Sequence, residues 1–449
     1  MRFINVFRPS PLIFAGGSEA LHPYDGLTIY GPYSQPEENY DEIVILYDAQ
    51  YRDDITRLKE HIEKGYRKYY PNGFNSIFKT NLKVSAQPVK TTEIDPALVA
   101  QRIWDVFSEN GVRGRFPLIL IEKTPKGQRY TTYYEAKGLF ARNSIPTQFI
   151  TTEVLRDPSK YKWSLFPLTI QIFVKMGGTP YALYQPLGSA HPEACTLVMG
   201  VGITRIYHEA EHEIRYMGFI TLFGPNGEWL VFNNHTEPYD REKLASALRS
   251  LILETIIYGI NKISGIEKKR EINVIIHYSG KNFSSLEEMY LWRATQTWKF
   301  QNKEIIPHVI KLQPKNENVV VLDKSPCVNK VGALTGYVSV GTVIEMMKNV
   351  YMLFTAGCIR IRERWRPNAI GTPCPVLVSV KDISKVSYKL SDLELVESVF
   401  QMCRLNYMSI NNPVNKEPIT TRYSRELAYM VAKLGGRIPN NLAKRLWFI

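Results

Sequence analysis

Acidic residues are in short supply. The chain carries 43 Asp and Glu against 56 Lys and Arg over 449 residues, a formal net charge of +13. Such a surplus points to polyanionic partners, nucleic acid or an anionic membrane surface, with an unspecialised basic exterior as the plain alternative. Cysteine is scarce too. The five cysteines, at 195, 327, 358, 374 and 403, are odd in number and form no C-x-x-C pair. That pattern argues against a disulfide framework or a Cys-rich zinc site and fits a reducing cytosol. Long apolar runs are missing. "MRFINVFRPSPLIFAGG" is broken by Arg8 and Pro11, so it is not a convincing signal peptide, and "LRSLILETIIYGINKI" carries Arg249 and Glu254. Repeats and low-complexity tracts are absent. The length allows two or three domains with large cores. A cytoplasmic protein without a transmembrane segment is expected.

What is present is an alternation of strand-like and helical runs. Residues 1–36, rich in Pro and Gly, read as turns and short strands. From "EIVILYD" onward, "DDITRLKEHIEKGYRKYY", "PALVAQRIWDVFSENG" and "TTYYEAKGLFARN" read as helices. "FPLILIEK" and "TQFITTEVL" read as strands, and "SLFPLTIQIFVKMGG" as a helix that Gly177 ends. This alternation predicts a parallel sheet with helices on both sides. A second region begins near "ALYQPL" with three strand-like runs, the last two joined by a turn at Pro225-Asn226-Gly227. A long helix follows with Asp240 as its N-cap, then the buried strand "INVIIHYSG". Next comes a helix with two overlapping capping boxes, Ser284/Glu287 and Ser285/Glu288. Antiparallel strands, a helix, then a central strand is the order of a ribonuclease H-like domain.

Tyr133 and Lys137 are four residues apart and share a helix face; Gln148 follows in a loop, and Lys175 closes the next helix before Gly177-Gly178. A tyrosine, a glutamine and two lysines suit one terminal phosphate: the lysines neutralise charge while phenol and amide donate hydrogen bonds. The alternative is a solvated helix face plus a helix-terminal lysine. The pattern resembles the MID domain of Argonaute proteins, in which Tyr-x-x-x-Lys, a Gln and a Lys before Gly-Gly hold the 5′ phosphate of a guide strand. The final "KRLWFI" matches as well, with Ile449 where that family places an apolar C-terminal residue. The resemblance implies a guide 5′-phosphate site at Tyr133, Lys137, Gln148 and Lys175. It also implies a divalent cation, Mg²⁺ or Mn²⁺, held by Gln148 and the Ile449 carboxylate.

The likeness is greatest to short prokaryotic Argonautes. It implies an α/β architecture: an N-terminal segment (1–36) on the PIWI side, a Rossmann-like MID domain with a parallel sheet (37–185), and a ribonuclease H-like PIWI domain (186–449). It further implies guide-directed binding, with an RNA guide and a DNA target, by a sensor in prokaryotic immunity. A separate effector (a nuclease, an NAD-consuming enzyme or a membrane protein) would act with it. PIWI domains that cut use carboxylates to hold two metal ions. Here the corresponding positions read Gly202, Ser279 and Arg425, which form no carboxylate cage. No slicing is expected.

Two further motifs stand out. "HEAEH" places His208 and His212 at zincin spacing with Glu209 between them, but no third ligand is marked and the segment falls between two strand-like runs. A charged hairpin connection is the expectation, with a zinc hydrolase or metal-dependent nuclease as the alternative. "CIRIRERWRPN" carries Arg360, Arg362, Arg364 and Arg366 at period two. On one strand they would form a basic rail with neighbours about 6.6 Å apart, close to the spacing of backbone phosphates. The alternative is an exposed strand face with acidic neighbours. A nonspecific nucleic-acid-binding protein is the remaining reading.

Overall fold

The computed structural model describes the chain except residues 1, 91, 123–130, 209–212, 235–239, 264, 281–282, 296–297, 301, 314–320, 322–326, 329–333, 362–363, 368–372, 382–389, 411–413 and 435–439. The chain forms two compact units. One comprises Ile13–Tyr181, Tyr407–Ile410 and Met430–Ile449; the other comprises Met1–Leu12, Ala182–Asn406 and Asn411–Tyr429.

The first unit is built on a four-stranded parallel sheet in the order Lys83–Val89, Glu42–Asp48, Arg115–Ile121, Gln148–Thr151. Ile43, Val44, Ile45 and Leu46 are all fully buried, as expected of a strand covered on both faces. Val44, Leu46 and Ile119 pack with Ile103 and Phe107 of helix Pro96–Ser108 and with Phe140 of helix Thr132–Arg142. The helices begin where local chemistry dictates. Asp95 and Asp157 accept from backbone amides one or two residues inside their helices, and each is followed by a proline at the first helical position. This is the Rossmann-like parallel α/β layer expected from the sequence.

The boundaries differ from the expected ones. Residues 13–36, assigned to the PIWI side, belong to the first unit, where Tyr24 donates to the Lys68 carbonyl and Gln35 to that of Phe78. The tail Met430–Ile449, assigned to the PIWI domain, also belongs there. Arg445 pairs with Glu38 and hydrogen-bonds Tyr40, and Lys433 lies over the Tyr134 ring. Such long-range contacts leave no trace in local patterning.

The second unit contains a ten-stranded mixed sheet. Ala194–His208, Glu213–Phe223 and Trp229–Asn234 form an antiparallel meander. Helix Leu244–Lys262 then leads to the central strand Glu271–Ser279, parallel to both Ala194–His208 and Lys303–Gln313. That topology is ribonuclease H-like. Several local details differ from expectation. A short 3-10 turn, Arg241–Lys243, intervenes after Asp240, so Lys243 occupies the N-cap position without a side-chain cap. Of the two capping boxes only Ser284/Glu287 forms. Cys327 and Cys358 are joined by a disulfide, correcting the expectation drawn from cysteine usage; their separation of 31 residues gave no local signal. Among the described residues no helix is long and apolar enough to cross a membrane.

Candidate nucleic-acid interface

Lys137 stands at the middle of its helix, and Lys175 ends the helix Pro158–Lys175. The Gly-Gly that follows has a geometric cause. Gly177 sits at φ +103°, and a Cβ on Gly178 would lie 2.4 Å from the Phe173 ring. Both lysines are 1% exposed. Their ammonium groups meet at one acceptor: Lys137 Nζ and Lys175 Nζ lie 3.4 and 3.0 Å from the Thr147 carbonyl oxygen. Lys175 also donates to Gln148 Oε1. Gln148 Nε2 in turn donates to Gln171 Oε1 at 3.2 Å, and Gln171 donates to the Met408 carbonyl at 3.4 Å. The structure therefore brings Lys137, Gln148 and Lys175 together, resolving the choice between a clustered site and a solvated helix face. Tyr133 stands one ring away, edge-on to Phe149 at 4.7 Å.

The C-terminal tail reaches the same place. Trp447, Phe448 and Ile449 are buried, and Lys137 Nζ lies 5.8 Å from both the Trp447 and the Phe149 ring centroids. Thr147, Phe149, Gln171 and Trp447 were not singled out from sequence. Gln171 alone had a usable signal, since it precedes Lys175 by one helical turn.

The electrostatics of the cluster favour an anion over a cation. Among the described residues neither lysine forms an ion pair, and the Trp447 indole N–H is buried without a hydrogen-bond partner. Desolvation pulls the Lys137 ammonium down to about 7. Desolvation and the neighbouring Lys137 charge hold Lys175 well below the usual lysine range. The same donors do not fit the divalent cation implied by the resemblance. The Gln148 oxygen already takes the Lys175 ammonium, and an added metal would sit beside two positive groups.

In the second unit, the positions expected from the sequence to correspond to the family's nuclease carboxylates lie close together. Val201 and Tyr278 are register partners on parallel strands, and Gly202 and Ser279 follow them directly. A Cβ on Gly202 would lie 3.2 Å from the Ser424 carbonyl oxygen, so helix Ile419–Lys433 covers that strand closely. Arg425 makes a two-pronged ion pair with Glu417, at 3.0 and 2.6 Å. His277, one strand position from Tyr278, is fully buried, donates to or accepts from Thr420 at 2.8 Å, and is pushed by burial down to about 3. Among the described residues no cluster of three or more His, Cys, Asp or Glu is arranged to hold a metal.

The other two motifs fall differently. His208 ends one strand and pairs in register with Glu213 at the start of the next, so His208 is on a strand and not a helix. Glu209 and His212 lie outside the described residues. The four arginines do not form one rail. Cys358–Ile361 and Arg364–Pro367 are two strands of a hairpin, with Arg360 opposite Trp365, Arg364 opposite Ile361 and Arg366 opposite Ile359. Arg364 and Arg366 therefore share a face, Arg360 is on the other, and Arg362 lies outside the described residues. The turn reverses the chain in mid-pattern, which periodicity could not reveal.

The chain thus combines a parallel α/β unit holding the buried Lys137–Gln148–Lys175 cluster and a unit with ribonuclease H-like topology. A family model described as Piwi domain matches residues 118–309, a span that includes Tyr133, Lys137, Gln148, Lys175, Gly202 and Ser279. Over that span the chain carries a match to the Piwi domain, and its relatives are Piwi and Argonaute proteins. It is 25% identical over 260 residues to a Piwi protein of Archaeoglobus fulgidus, covering 57% of this chain and 53% of that one. It is 23% identical to the Protein argonaute of Cereibacter sphaeroides over 53% of this chain and 32% of that one. The chain thus spans about half or less of the curated relatives it matches. Among solved structures it resembles Clostridium butyricum Argonaute bound to a guide DNA and a target DNA (TM-score 0.67, 17% identity, 99% of this chain and 55% of that one). Drosophila Piwi is similar at TM-score 0.66 and 13% identity, over 99% of this chain and 56% of that one.

Proposed function

We propose that this chain grips the 5′ phosphate of a short guide strand in the Lys137–Lys175 pocket and holds a complementary target without cutting it. One observation carries the proposal: two buried lysine amino groups converge on a single carbonyl, and among the described residues no carboxylate pairs with either. Burying unpaired charge costs several kcal/mol per ion. A terminal phosphate carries nearly two negative charges, and binding one supplies the missing counter-charge. The Trp447 indole adds a third donor, and Tyr133 beside Phe149 is set to join from the helix face.

The guide is proposed to be RNA and the target DNA, with base pairing supplying sequence selection. Gly202, Ser279 and Arg425 occupy the positions of the family's metal-binding carboxylates, and none of them replaces an acidic ligand. The silent complex would act in the cytoplasm as an immune sensor that signals to a separate effector. With the Cys327–Cys358 bridge present, cytoplasmic placement rests on the nucleic-acid partner and not on cysteine usage. Arg364 and Arg366, on one face of their hairpin, are assigned to target or guide backbone.

The test loads the protein with a 5′-phosphorylated guide and adds labelled target with Mg²⁺ or Mn²⁺. A stable complex with intact target is expected, and Arg364→Ala with Arg366→Ala makes its salt dependence shallower. Target fragments that disappear on replacing a carboxylate, or on Glu209→Gln in the His208/His212 motif, would return the chain to the nucleases.

A further inference from the structure

The first unit carries a second feature that the phosphate pocket does not use. After helix Arg52–Lys64 the chain turns at Gly65 (φ +96°), where a Cβ would lie 2.6 Å from the Tyr70 carbonyl oxygen. Tyr66 and Tyr70 exchange backbone hydrogen bonds of 2.6 and 3.2 Å, closing a tight loop. The loop is pinned from below. The Tyr24 hydroxyl donates to the Lys68 carbonyl at 2.6 Å, and the buried Tyr70 ring packs edge-on against Phe166 at 5.3 Å. Arg67 is held at φ +48°, a left-handed conformation that is unfavourable for a side-chain-bearing residue.

This fixed loop presents rings and cations together. Trp163, near the start of helix Pro158–Lys175, is 53% exposed, and its ring meets Tyr69 edge-on at 4.9 Å. Tyr69 stacks in turn against Tyr66 at 6.3 Å. Lys162 Nζ lies 5.9 Å from the Trp163 centroid and 5.8 Å from that of Tyr69, Lys68 Nζ lies 5.8 Å from Tyr69, and the Arg67 guanidinium 5.6 Å from Tyr66. The neighbouring cations behave otherwise: Arg57, Lys59, Lys64 and Lys160 each pair with a carboxylate. Among the described residues Arg67, Lys68 and Lys162 pair with none. Three cations without a carboxylate thus gather around one cluster of rings, of which Trp163 has forgone burial while Tyr66 and Tyr69 are half-buried.

We propose that this patch is a second nucleic-acid contact, a platform on which unpaired bases of a single strand stack on Trp163 and Tyr69 while Arg67, Lys68 and Lys162 take the phosphates. Aromatic faces with interleaved cations bind single strands without sequence preference. Lys175 lies twelve residues along the same helix from Trp163, about 18 Å away, so one group cannot fill both sites. The proposal does not depend on the 5′-phosphate pocket.

The test uses the full chain carrying Lys137→Ala and Lys175→Ala, which disables the pocket, with 5′-hydroxyl oligothymidylate as probe. Binding is expected to persist and to quench tryptophan fluorescence. Trp163→Ala should weaken it about fivefold or more, the scale of one lost stacking contact. Trp163→Phe should retain most of the affinity but lose the quenching. Replacing Arg67, Lys68 and Lys162 with alanine should lower the salt slope by about 2. Affinity unchanged by Trp163→Ala would overturn the proposal. So would poly-glutamate that quenches Trp163 as strongly as the oligonucleotide, which would make the patch a docking surface for an acidic protein.

Discussion

Lys137 and Lys175 donate to the same oxygen, the carbonyl of Thr147, although 38 positions of chain separate them and each side chain is 1% exposed. Two like charges sharing one neutral acceptor in a dry site repel each other. The arrangement makes physical sense as a receptor held ready for a dianion.

That relationship fixes a pH dependence. In the free protein burial pulls Lys137 down to about 7 and, with the neighbouring Lys137 charge, holds Lys175 well below the usual lysine range, so the site loses positive charge as pH rises above neutrality. A bound phosphate raises both, and binding therefore takes up protons. The advantage of a 5′-phosphorylated over a 5′-hydroxyl guide should fall between pH 7 and pH 9, by up to about tenfold per unit for each proton taken up. Fluorescence anisotropy across that range checks it. A flat ratio would mean that the lysines are charged before the guide arrives.

The same groups set the stability of the free protein. The folded pKa of Lys137 lies below its unfolded value of 10.5, so the unfolded chain holds the proton more tightly. The resulting destabilisation is complete below pH 7 and fades as pH rises towards 10.5. Lys137→Met should therefore stabilise the guide-free protein near neutral pH, on the order of 1–3 kcal/mol, while abolishing the phosphate preference. Thermal unfolding should show the gain at pH 7 and little of it at pH 10. A lower Tm at both pH values would mark Lys137 as a structural residue.

A third outcome concerns metal. Since Gln148 Oε1 accepts from Lys175, the ammonium occupies the place the resemblance gives to a cation. Preference for the 5′ phosphate should survive EDTA. Removing Trp447–Ile449 should still weaken it, because the Trp447 ring lies against Lys137. A preference that vanishes in EDTA and returns with Mg²⁺ would show that Lys175 yields its position to the ion.

Much of this was legible in the sequence. The all-apolar core of "EIVILYD" announces a strand buried on both faces, and the helices start at Asp–Pro pairs that cap them. Tyr133, Lys137, Gln148 and Lys175 were readable as a pattern because helical spacing and the Gly-Gly stop are local signals. The contributions of Thr147 and Trp447 were hidden: one acts through its backbone, and the other arrives from the far end of the chain. Long-range closure defeated the reading elsewhere too. The Cys327–Cys358 bridge depends on tertiary packing, and the arginine rail fails because the chain reverses between Ile361 and Arg364.

The central claim is tested most directly by one ratio: the affinity for a 5′-phosphorylated guide divided by that for the same guide with a 5′ hydroxyl, measured at pH 7 in the native protein and in Lys137→Ala/Lys175→Ala. The native protein should favour the phosphate by well over tenfold, and the double variant should bind both guides alike, about as tightly as the native protein binds the hydroxyl form. A native ratio near one, or a ratio unchanged by the double substitution, would contradict the account.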